Sequence, residues 1–330
     1  MKKSILLKEV QLFLTSYCQQ DRHLSRLTVL SYRDTLKLFL NYLHKQKKIS
    51  LDKADLSFLT YGQVSEFLIY LEQKRNASTS TRNQRLCALN SFLRYVLFRH
   101  PDYAESLSRA MSVPRKKKVK KPRPYLEPDE IRSLLNSVNR KSWAGNRDYL
   151  IIDFCIRTGV RVSELTGIKI EDVHFGKSSF ISINGKGRKE RSIPIDKDII
   201  LNLKKWIDGN QMSSKRYLFP SVRGGRLSTD SVQHLLRKYT AISAKESPAM
   251  KDKRVTPHTL RHTTAMTLLN RGVDIQIIAL WLGHEQIDTT QIYLSDSMAL
   301  KKQALEKTQF SISLPIKKNN KTNLDFLDEI

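Results

Sequence analysis

The sequence predicts a mainly α-helical protein of two domains, with a small antiparallel β-sheet in the second domain. Through the first hundred residues, apolar side chains recur three and four positions apart, which is the spacing of helix faces that pack on a core. Residues 113–124, rich in proline and lysine, interrupt this pattern. Beyond them, short apolar runs flank a turn that contains Gly185 and Gly187, which is typical of a β-hairpin.

Four main helices and a short fifth helix are predicted before the interruption, in a first domain that covers residues 1–112. Ser31–Asp34 and Ser78–Thr81 are predicted as caps or turns, because Ser and Asp side chains accept hydrogen bonds from the free N–H groups at a helix start. The helical segments lie at residues 10–17, 30–43, 64–71, 81–98 and, for the fifth helix, 103–110.

Residues 113–124 are predicted to be an exposed, extended linker, because its seven basic side chains repel one another and its prolines prevent a helix. The whole chain has 58 Lys and Arg against 32 Asp and Glu, a net charge of +26, and the excess is spread over both domains. Such an excess indicates a polyanionic partner, and seven cations in so short a linker would bind the phosphates of DNA. The alternative for the linker is a solvated spacer without contacts. The candidate DNA-binding residues are Arg115, Lys116, Lys117, Lys118, Lys120, Lys121 and, in the hairpin turn, Arg188 and Lys189.

The second domain is predicted over residues 125–312, with a polar tail at 313–330. Pro128 followed by two acidic residues is typical of a helix start. The next predicted helix, residues 147–158, ends at Gly159. Strands are predicted on both sides of the hairpin turn, and further helices continue to Leu305.

Several classes of protein are excluded by composition and local pattern. No apolar run reaches the roughly 18 residues of a membrane-spanning helix, since Asp153 breaks the densest run. Lys8 and Glu9 interrupt the N-terminal apolar residues before they reach the length of a secretory signal, so we expect a cytoplasmic protein. Three widely separated cysteines suggest neither disulfides nor a thiolate metal site, and we expect them to be buried.

Two segments place cations at chain turns. Arg161 follows the predicted helix end at Gly159, where its guanidinium could bind two phosphate oxygens while Glu164 holds it in place. A purely structural Arg–Glu pair is the alternative. Lys186 lies between the glycines of the hairpin turn, where the backbone allows close approach, although such turns are usually only solvated.

Two further segments carry histidines and a tyrosine. His258 and Arg261 lie one helical turn apart, so a proton-transfer group and a phosphate-binding group share one face. His262 raises the alternative of a zinc site, but the Glu of an H-E-x-x-H motif is missing and no third ligand is evident. If a helix begins at His284, Tyr293 lies about two and a half turns later, and core packing is the alternative role of this tyrosine.

In their order along the chain, these residues resemble the catalytic set of the tyrosine recombinases, the phage-integrase-like enzymes. That set is Arg, Lys, His-x-x-Arg, His or Trp, and Tyr. The neighbours match as well, in T-G-x-R-x-S-E-L, G-K-G-x-K-E-R, H-x-L-R-H and L-G-H. Residues 279–285 and 289–294 most resemble integrases carried by transposable elements. The six matching positions are Arg161, Lys186, His258, Arg261, His284 and Tyr293.

The resemblance implies a reaction without metal or cofactor. Tyr293 would attack the scissile phosphate, forming a 3′-phosphotyrosyl link and releasing a 5′-hydroxyl that attacks the link of a partner strand. Arg161 and Arg261 would bind the non-bridging oxygens. The other implied roles are protonation of the leaving oxygen by Lys186 or its neighbour Lys189, proton transfer from the tyrosine by His258, a hydrogen bond to the phosphate from His284, and support by Glu164.

The resemblance also implies a fold and an assembly. A helical, SAM-like core-binding domain and a mixed α/β catalytic domain would form a C-shaped clamp around DNA, and four protomers would assemble as a tetramer. The segment after Tyr293, with Leu300, Leu305 and Phe310, is the candidate for docking on a neighbouring protomer; closure of its own domain is the alternative. Sister recombinases are further candidate partners.

The implied function is site-specific recombination for the integration or excision of a mobile element. A chromosome-dimer-resolving recombinase is an alternative within the same class. A type IB topoisomerase, which relaxes supercoils without joining partner strands, is a second alternative. A non-catalytic DNA-binding protein with a decayed site is a third, and the complete set of six residues argues against it.

Overall fold

The computed structural model describes residues 4–118, 123–185, 190–213 and 216–283. The chain forms two compact units, residues 1–121 and 122–330, and the boundary between them in the sequence falls within the predicted linker. The fold is mostly helical with one three-stranded antiparallel sheet, which confirms the predicted fold class. Within these ranges, no helix has both the length and the apolar content needed to cross a lipid bilayer.

Helices pack around an aromatic core in the N-terminal unit, residues 1–121. Phe13, Phe39, Phe67 and Phe92 are fully buried, and the rings of Phe13 and Phe92 meet edge to face with centroids 5.3 Å apart. The predicted periodicity therefore identified the buried faces. The helices are α1 (Ile5–Leu12), which continues as π-helical turns over Phe13–Asp21, α2 (Arg26–Lys47), α3 (Tyr61–Arg75), α4 (Thr79–Arg99) and α5 (Ala104–Met111).

Serine side chains cap three of these helices, with Ser4 at the start of α1, Ser25 at α2 and Ser78 at α4. The Ser78 hydroxyl accepts the Thr81 N–H at the start of α4, as the sequence predicts. The other predicted cap, Ser31–Asp34, is wrong, because these residues lie inside α2 and the cap is Ser25. The Thr35 hydroxyl donates to the Ser31 carbonyl within the helix, so the polar side chains here bond along the helix and do not end it.

Residues 114–118 of the linker are exposed and belong to no helix or strand, but they are not free of contacts, and the predicted exposure is wrong for Val113, which is buried in the core of the N-terminal unit. Arg82 Nη1 donates to the Pro114 carbonyl at 2.7 Å. The Asn83 side chain exchanges two hydrogen bonds with the backbone of Lys116, at 2.8 and 3.1 Å. Lys116 Nζ also lies 2.8 Å from a Glu72 carboxylate oxygen. The linker therefore lies against the N-terminal end of α4 at Pro114 and Lys116, and whether its cations contact phosphate stays a prediction.

The C-terminal unit, residues 122–330, contains a helical core and the small sheet. Helix α6 begins at Pro128, and the N–H of Glu127 donates to Glu130 Oε2 at 2.8 Å, so the predicted helix start is confirmed. Trp206 is buried at the centre of the unit and donates to the Leu218 carbonyl. The helices are α6 (Pro128–Asn136), α7 (Trp143–Thr158), α8 (Val162–Leu165), α9 (Lys197–Gly209), α10 (Thr229–Glu246), α11 (Pro257–Asn270) and α12 (Ile275–Leu282).

The sheet has the order β1–β2–β3, and its two longer strands form the predicted hairpin. Ile181 pairs with Ile193, and Ile183 pairs with Arg191. Because side chains alternate across a strand, Arg191 lies on the same sheet face as the buried Ile193. The short β1 was not predicted. The strands are β1 (Val173–His174), β2 (Phe180–Asn184) and β3 (Glu190–Pro194).

Two of the three cysteines are buried, and one prediction about them is wrong. Cys18 and Cys155 lie in the cores of the two units, but Cys87 is exposed. Cys87 lies on α4 between the buried Leu86 and Ala88, and the helical rotation turns it outward.

Candidate active site

Arg161 lies in the short connection between α7 and α8, as the sequence predicts. Its backbone is extended, with φ −69° and ψ 147°, so the chain turns sharply before α8 begins. The Arg161 N–H donates to Glu164 Oε2 at 2.8 Å, and Arg161 Nη1 donates to Glu164 Oε1 at 3.0 Å. The predicted Arg–Glu pair is therefore present, and it fixes both the backbone and the side chain of Arg161.

Gly159 makes this sharp turn possible. Its φ of +64° lies in the left-handed region, which favours glycine. A Cβ atom at this position would lie 2.6 Å from Leu282 Cδ2 and 3.2 Å from the Thr264 side chain. Both the backbone conformation and the close approach of α11 and α12 therefore require glycine.

Arg261 is buried on α11, the helix that the sequence predicts to carry His258 and Arg261 together. Thr256 caps this helix and Pro257 occupies its first position. Helix α11 packs on α7, and the Thr264 hydroxyl donates to the Ile156 carbonyl at 2.7 Å. Arg261 Nη1 then reaches the Gly159 carbonyl at 2.7 Å, so the two predicted phosphate-binding arginines are brought to the same turn.

Three arginines converge on the C-terminal end of α12. Arg191 Nε donates to the Trp281 carbonyl at 3.2 Å, Arg261 Nη2 to the Leu282 carbonyl at 2.6 Å, and Arg161 Nη2 to the Gly283 carbonyl at 2.8 Å. The last carbonyls of a helix have no partner within the helix and carry the negative end of its dipole, so guanidinium groups are favourable there. In the sequence, His284 directly follows Gly283. The six residues of these hydrogen bonds are Arg161, Arg191, Arg261, Trp281, Leu282 and Gly283.

Arg191 was missed as a site residue. Its guanidinium makes a two-point contact with Glu164, with Nη1 3.0 Å from Oε1 and Nη2 2.8 Å from Oε2. The signal was in the sequence, because alternation along β3 places Arg191 on the same face as Ile193. A cation on the inner face of a strand needs a carboxylate partner.

Glu164 is the single carboxylate between two arginines. Its side chain is only 5% exposed, whereas that of Arg161 is 36% exposed. Burial would raise the pKa of Glu164, but the bonds from Arg191 and from the Arg161 backbone outweigh it and lower the pKa below its usual value. Glu164 is therefore ionised at neutral pH, and the group of three side chains carries a net positive charge.

His258 is exposed at the start of α11 and lies among cations. Partial desolvation of its ring and the positive charges of Arg261, Arg123 and Arg161 lower its pKa below the usual value. A histidine with a lowered pKa is neutral at pH 7 and can accept a proton. This state fits the predicted role in proton transfer.

His262 has a structural environment and does not support the zinc alternative. It is 4% exposed, and its Nε2 lies 3.0 Å from the Arg123 carbonyl oxygen. Its ring also meets that of Tyr125 edge to face. In the described ranges, no group of three or more His, Cys, Asp or Glu side chains could hold a metal ion.

Arg226 is a second residue that the sequence reasoning missed. Its guanidinium donates to the carbonyls of Ser163 and Thr166, at 3.1 Å each. These bonds satisfy carbonyl groups at the end of α8. Arg226 thus holds the short helix that follows Arg161. No local pattern distinguishes it from other surface arginines.

Several predicted site residues lie outside the described residues. They include three of the six residues of the predicted catalytic set: the proposed nucleophile Tyr293, His284 and Lys186. The remaining ones are Lys120, Lys121, Arg188, Lys189 and the segment 301–330. Among the predicted linker cations, Arg115, Lys116, Lys117 and Lys118 are described and exposed.

The described geometry is suited to binding a phosphate group. The guanidinium groups of Arg161 and Arg261 are both held at the turn that follows α7. Arg161, the more exposed of the two, contacts the Glu164 carboxylate, whose charge is already neutralised by Arg191. Preorganised cations of this kind stabilise the charge that develops on a phosphate during transfer.

Comparison with known proteins identifies relatives along most of the chain. The model of the phage integrase family matches residues 124–299, and that of the phage integrase N-terminal SAM-like domain matches residues 10–100. The protein y4rC of Sinorhizobium fredii, named as an integrase/recombinase, is 38% identical over 307 residues, 93% of this chain and 92% of that protein. The tyrosine recombinase XerC of Syntrophus aciditrophicus is 33% identical over 293 residues, 86% of this chain and 91% of that protein.

Solved structures share the fold. The Tn1549 transposon integrase in complex with transposon right end DNA has a TM-score of 0.69 at 17% identity, over 91% of this chain and 99% of that chain. The XerH site-specific recombinase bound to its difH substrate has a TM-score of 0.65 at 22% identity, over 88% of this chain and 82% of that chain. At these identities the likeness concerns the fold.

Proposed function

The chain belongs to the phage integrase family and is a tyrosine recombinase, a site-specific enzyme that cleaves and rejoins DNA strands, and from this premise we propose which residues perform the reaction and which recombination it serves. The observation that carries the proposal is the convergence of Arg161 and Arg261 at the end of α12. Both arginines belong to the set of six, and the cluster lies directly before His284 in the chain.

In the proposed reaction, the phenol oxygen of Tyr293 attacks the scissile phosphorus and the bond to the 5′-oxygen breaks. A phenol has a pKa of about 10 and needs a proton acceptor at neutral pH. His258, neutral because its pKa is lowered, accepts this proton. Lys186 gives a proton to the departing 5′-oxygen. The phosphodiester bond energy is kept in the phosphotyrosyl link, so a partner strand can be joined without hydrolysis.

Arg161 and Arg261 bind the non-bridging oxygens as the phosphorus becomes pentacoordinate, and His284 adds a hydrogen bond. Loss of one such donor typically costs roughly 10²–10³ in rate. No metal or cofactor takes part in this proposal. Adduct formation should therefore persist in a chelator such as EDTA.

We propose integration or excision of a mobile element as the biological role. The relative y4rC, named as an integrase/recombinase and 38% identical, is compatible with it. Chromosome-dimer resolution is the second candidate, and the 33% identity to a XerC supports it. The two are separated by deleting the gene: loss of a circular, excised element favours the first role, and accumulation of chromosome dimers favours the second.

The proposed partner is double-stranded DNA, bound by both units and by the linker in the cytoplasm. Relatives in solved structures are described as bound to DNA, including a λ integrase dimer on a core site. Exchange between two duplexes requires four strand cleavages, so we propose a tetramer, with sister recombinases as further candidates. Mass photometry of the protein with its site should show four protomers with two duplexes. A complex that stops at two protomers and still exchanges strands would contradict the tetramer.

Covalent trapping tests the proposed function. Wild-type protein and Tyr293→Phe are incubated with nicked duplexes made from DNA that flanks the gene, because a nick lets the cleaved fragment diffuse away and prevents religation. We expect an SDS-resistant adduct with the wild type, mapped to Tyr293 by peptide mass spectrometry, and no adduct with the variant.

Tyr61→Phe is the matched control, because Tyr61 is an exposed tyrosine of the other unit. It should form the adduct at the wild-type rate. An adduct that persists in Tyr293→Phe would overturn the proposed nucleophile. Relaxation of supercoiled DNA of any sequence by single protomers, without strand exchange, would favour the topoisomerase alternative.

A further inference from the structure

We propose that Arg191 is a positioning residue for recombination: it neutralises Glu164, so that the charge of Arg161 remains available for the scissile phosphate. The inference rests on the proposed function, since it concerns the same phosphate-binding group. Arg191 does not belong to the set of six. The contacts that carry it are all within the described C-terminal unit.

Glu164, Arg161 and Arg191 together carry one negative and two positive charges. Glu164 is buried and offers one negative charge to two guanidinium groups. Arg191 takes both carboxylate oxygens in a two-point contact, whereas Arg161 shares one of them through Nη1. Without Arg191, the whole charge of Glu164 would act on Arg161. The attraction of Arg161 for a phosphate would then be weakened by a carboxylate 3.0 Å away.

Arg191 is less accessible to a bound phosphate than Arg161 is. The side chain of Arg191 is 13% exposed, and that of Arg161 is 36% exposed. The Nη1 and Nη2 atoms of Arg191 donate to the Glu164 carboxylate, and its Nε donates to the Trp281 carbonyl. Arg191 therefore uses its donors within the protein, while Arg161 is the more exposed of the two cations. This division indicates that Arg191 acts through another residue.

Arg191 lies between three segments of the C-terminal unit. It lies on β3, the strand that follows the turn containing Lys186. It contacts Glu164 on α8 and the end of α12, and a Cβ on Gly283 would be 3.0 Å from its Cδ. One side chain thus joins the hairpin, the Arg161 turn and the helix that precedes His284. A displacement of about 1 Å in such a site can cost roughly 10² in rate.

The test compares adduct formation on a nicked duplex carrying the site that the wild type cleaves. Arg191→Met should slow adduct formation roughly 10²-fold, while the Kd for the same duplex changes less than about threefold, because the phosphate contacts of the linker remain. Arg191→Gln, which keeps a hydrogen-bond donor but lacks the charge, should show the same loss. It serves as the second variant if Arg191→Met does not fold.

The decisive readout is rescue by a second substitution. Glu164→Gln removes the charge that Arg191 neutralises, so Glu164→Gln/Arg191→Gln should regain about tenfold in rate over Arg191→Gln alone. A merely structural role predicts the opposite, a double variant as slow as or slower than the single one. Arg191→Lys should lie between the wild type and Arg191→Gln.

Arg132→Met is the matched control, since Arg132 is an exposed arginine that also pairs with a carboxylate, Asp129, in the same unit. It should cleave at the wild-type rate. Cleavage by folded Arg191→Gln at the wild-type rate, or a double variant without recovery, would overturn the inference and leave the proposed function intact. Absence of any wild-type adduct on sheared DNA of the source genome would instead overturn the proposed function, and the inference with it.

Discussion

At the scale of single residues, the charges around His258 determine which proton step this histidine can perform. Desolvation and the cations Arg261, Arg123 and Arg161 all favour the neutral ring and lower its pKa. A neutral histidine accepts a proton, and below its pKa it becomes charged and loses this ability. Activity that depends on His258 as an acceptor is therefore present above the lowered pKa and is lost as the pH falls through it.

Arg123→Gln should move this loss of activity to higher pH. The substitution removes one cation near His258, so the pKa rises towards its usual value. At about pH 6 the variant should retain a smaller fraction of its maximal cleavage rate than the wild type, and at about pH 8 both should be maximal. The measurement is the pH profile of adduct formation, with the His258 ring followed by NMR.

Arg237→Gln is the control for Arg123→Gln, because Arg237 is exposed on α10 and is not among the charges that act on His258. Its NMR titration should match the wild type. An unchanged His258 titration in Arg123→Gln would show that Arg123 does not contribute to the lowered pKa, and that desolvation with Arg261 and Arg161 accounts for it.

Sequence reasoning at this scale identified Arg161, Glu164, His258 and Arg261 but not Arg191. All five stand in the short motifs quoted from the sequence, Arg191 as the last residue of G-K-G-x-K-E-R, but that motif did not indicate a role for Arg191. Arg191 acquires its role from a carboxylate 27 positions earlier on helix α8, and only the packing of α8 beside β3 brings the two together.

At the scale of elements, the connection between α7 and α8 depends on one glycine. Gly159 combines a left-handed backbone with close contact to α11 and α12. Gly224 has a similar backbone, with φ +80°, but no neighbouring atom within 4 Å of an added Cβ. Comparing the two glycines therefore separates the free-energy cost of the left-handed backbone from that of the steric contact with α11 and α12.

Gly159→Ala should lower the free energy of unfolding by about 2–4 kcal/mol, and Gly224→Ala by only about 1–2 kcal/mol, because the second lacks the overpacking. Urea unfolding followed by tryptophan fluorescence measures this, since all three tryptophans, Trp143, Trp206 and Trp281, lie in the C-terminal unit. Equal losses for the two variants would show that contact with Leu282 adds no strain.

The helix starts illustrate what local sequence decides at this scale. The helix starts at Ser78 and Pro128 were predicted from neighbouring residues, and the bonds that form there join residues only three positions apart. Ser31 also has a polar residue three positions later, Asp34, but lies within α2, because apolar residues on both sides keep that helix packed on its core. Whether a serine caps a helix or lies within it thus depended on packing.

At the scale of the whole molecule, the linker is held at one end by the N-terminal unit, and its cations are not equivalent. Lys116 lies 2.8 Å from Glu72, so part of its charge is already compensated. Lys117 is exposed, and no ion pair of the described residues involves it. A phosphate group should therefore gain more from Lys117 than from Lys116.

Lys117→Ala should reduce the slope of log Kd against log salt concentration by about 1, the value expected for loss of one phosphate contact. Lys116→Ala is the matched neighbour and should reduce it less. Fluorescence anisotropy with a labelled duplex between about 50 and 200 mM salt measures both slopes. Equal slopes for the two variants would show that Lys116 and Lys117 contribute equally to phosphate binding. A wild-type Kd that changes little with salt concentration would contradict DNA binding through charged contacts.

The sequence by itself determined the helical character, the hairpin, the order of the six family residues and the excess of positive charge. Each of these is encoded in composition or in spacings of a few residues, where helix and strand periodicity act directly. The tertiary structure alone decided how the arginines meet. Arg161 and Gly283 are 122 positions apart, and Arg191, Arg261 and Arg161 bond to three successive carbonyls at the C-terminal end of α12, the last of them that of Gly283. Hydrogen bonds between distant segments depend on how helices pack, and no local pattern records that packing.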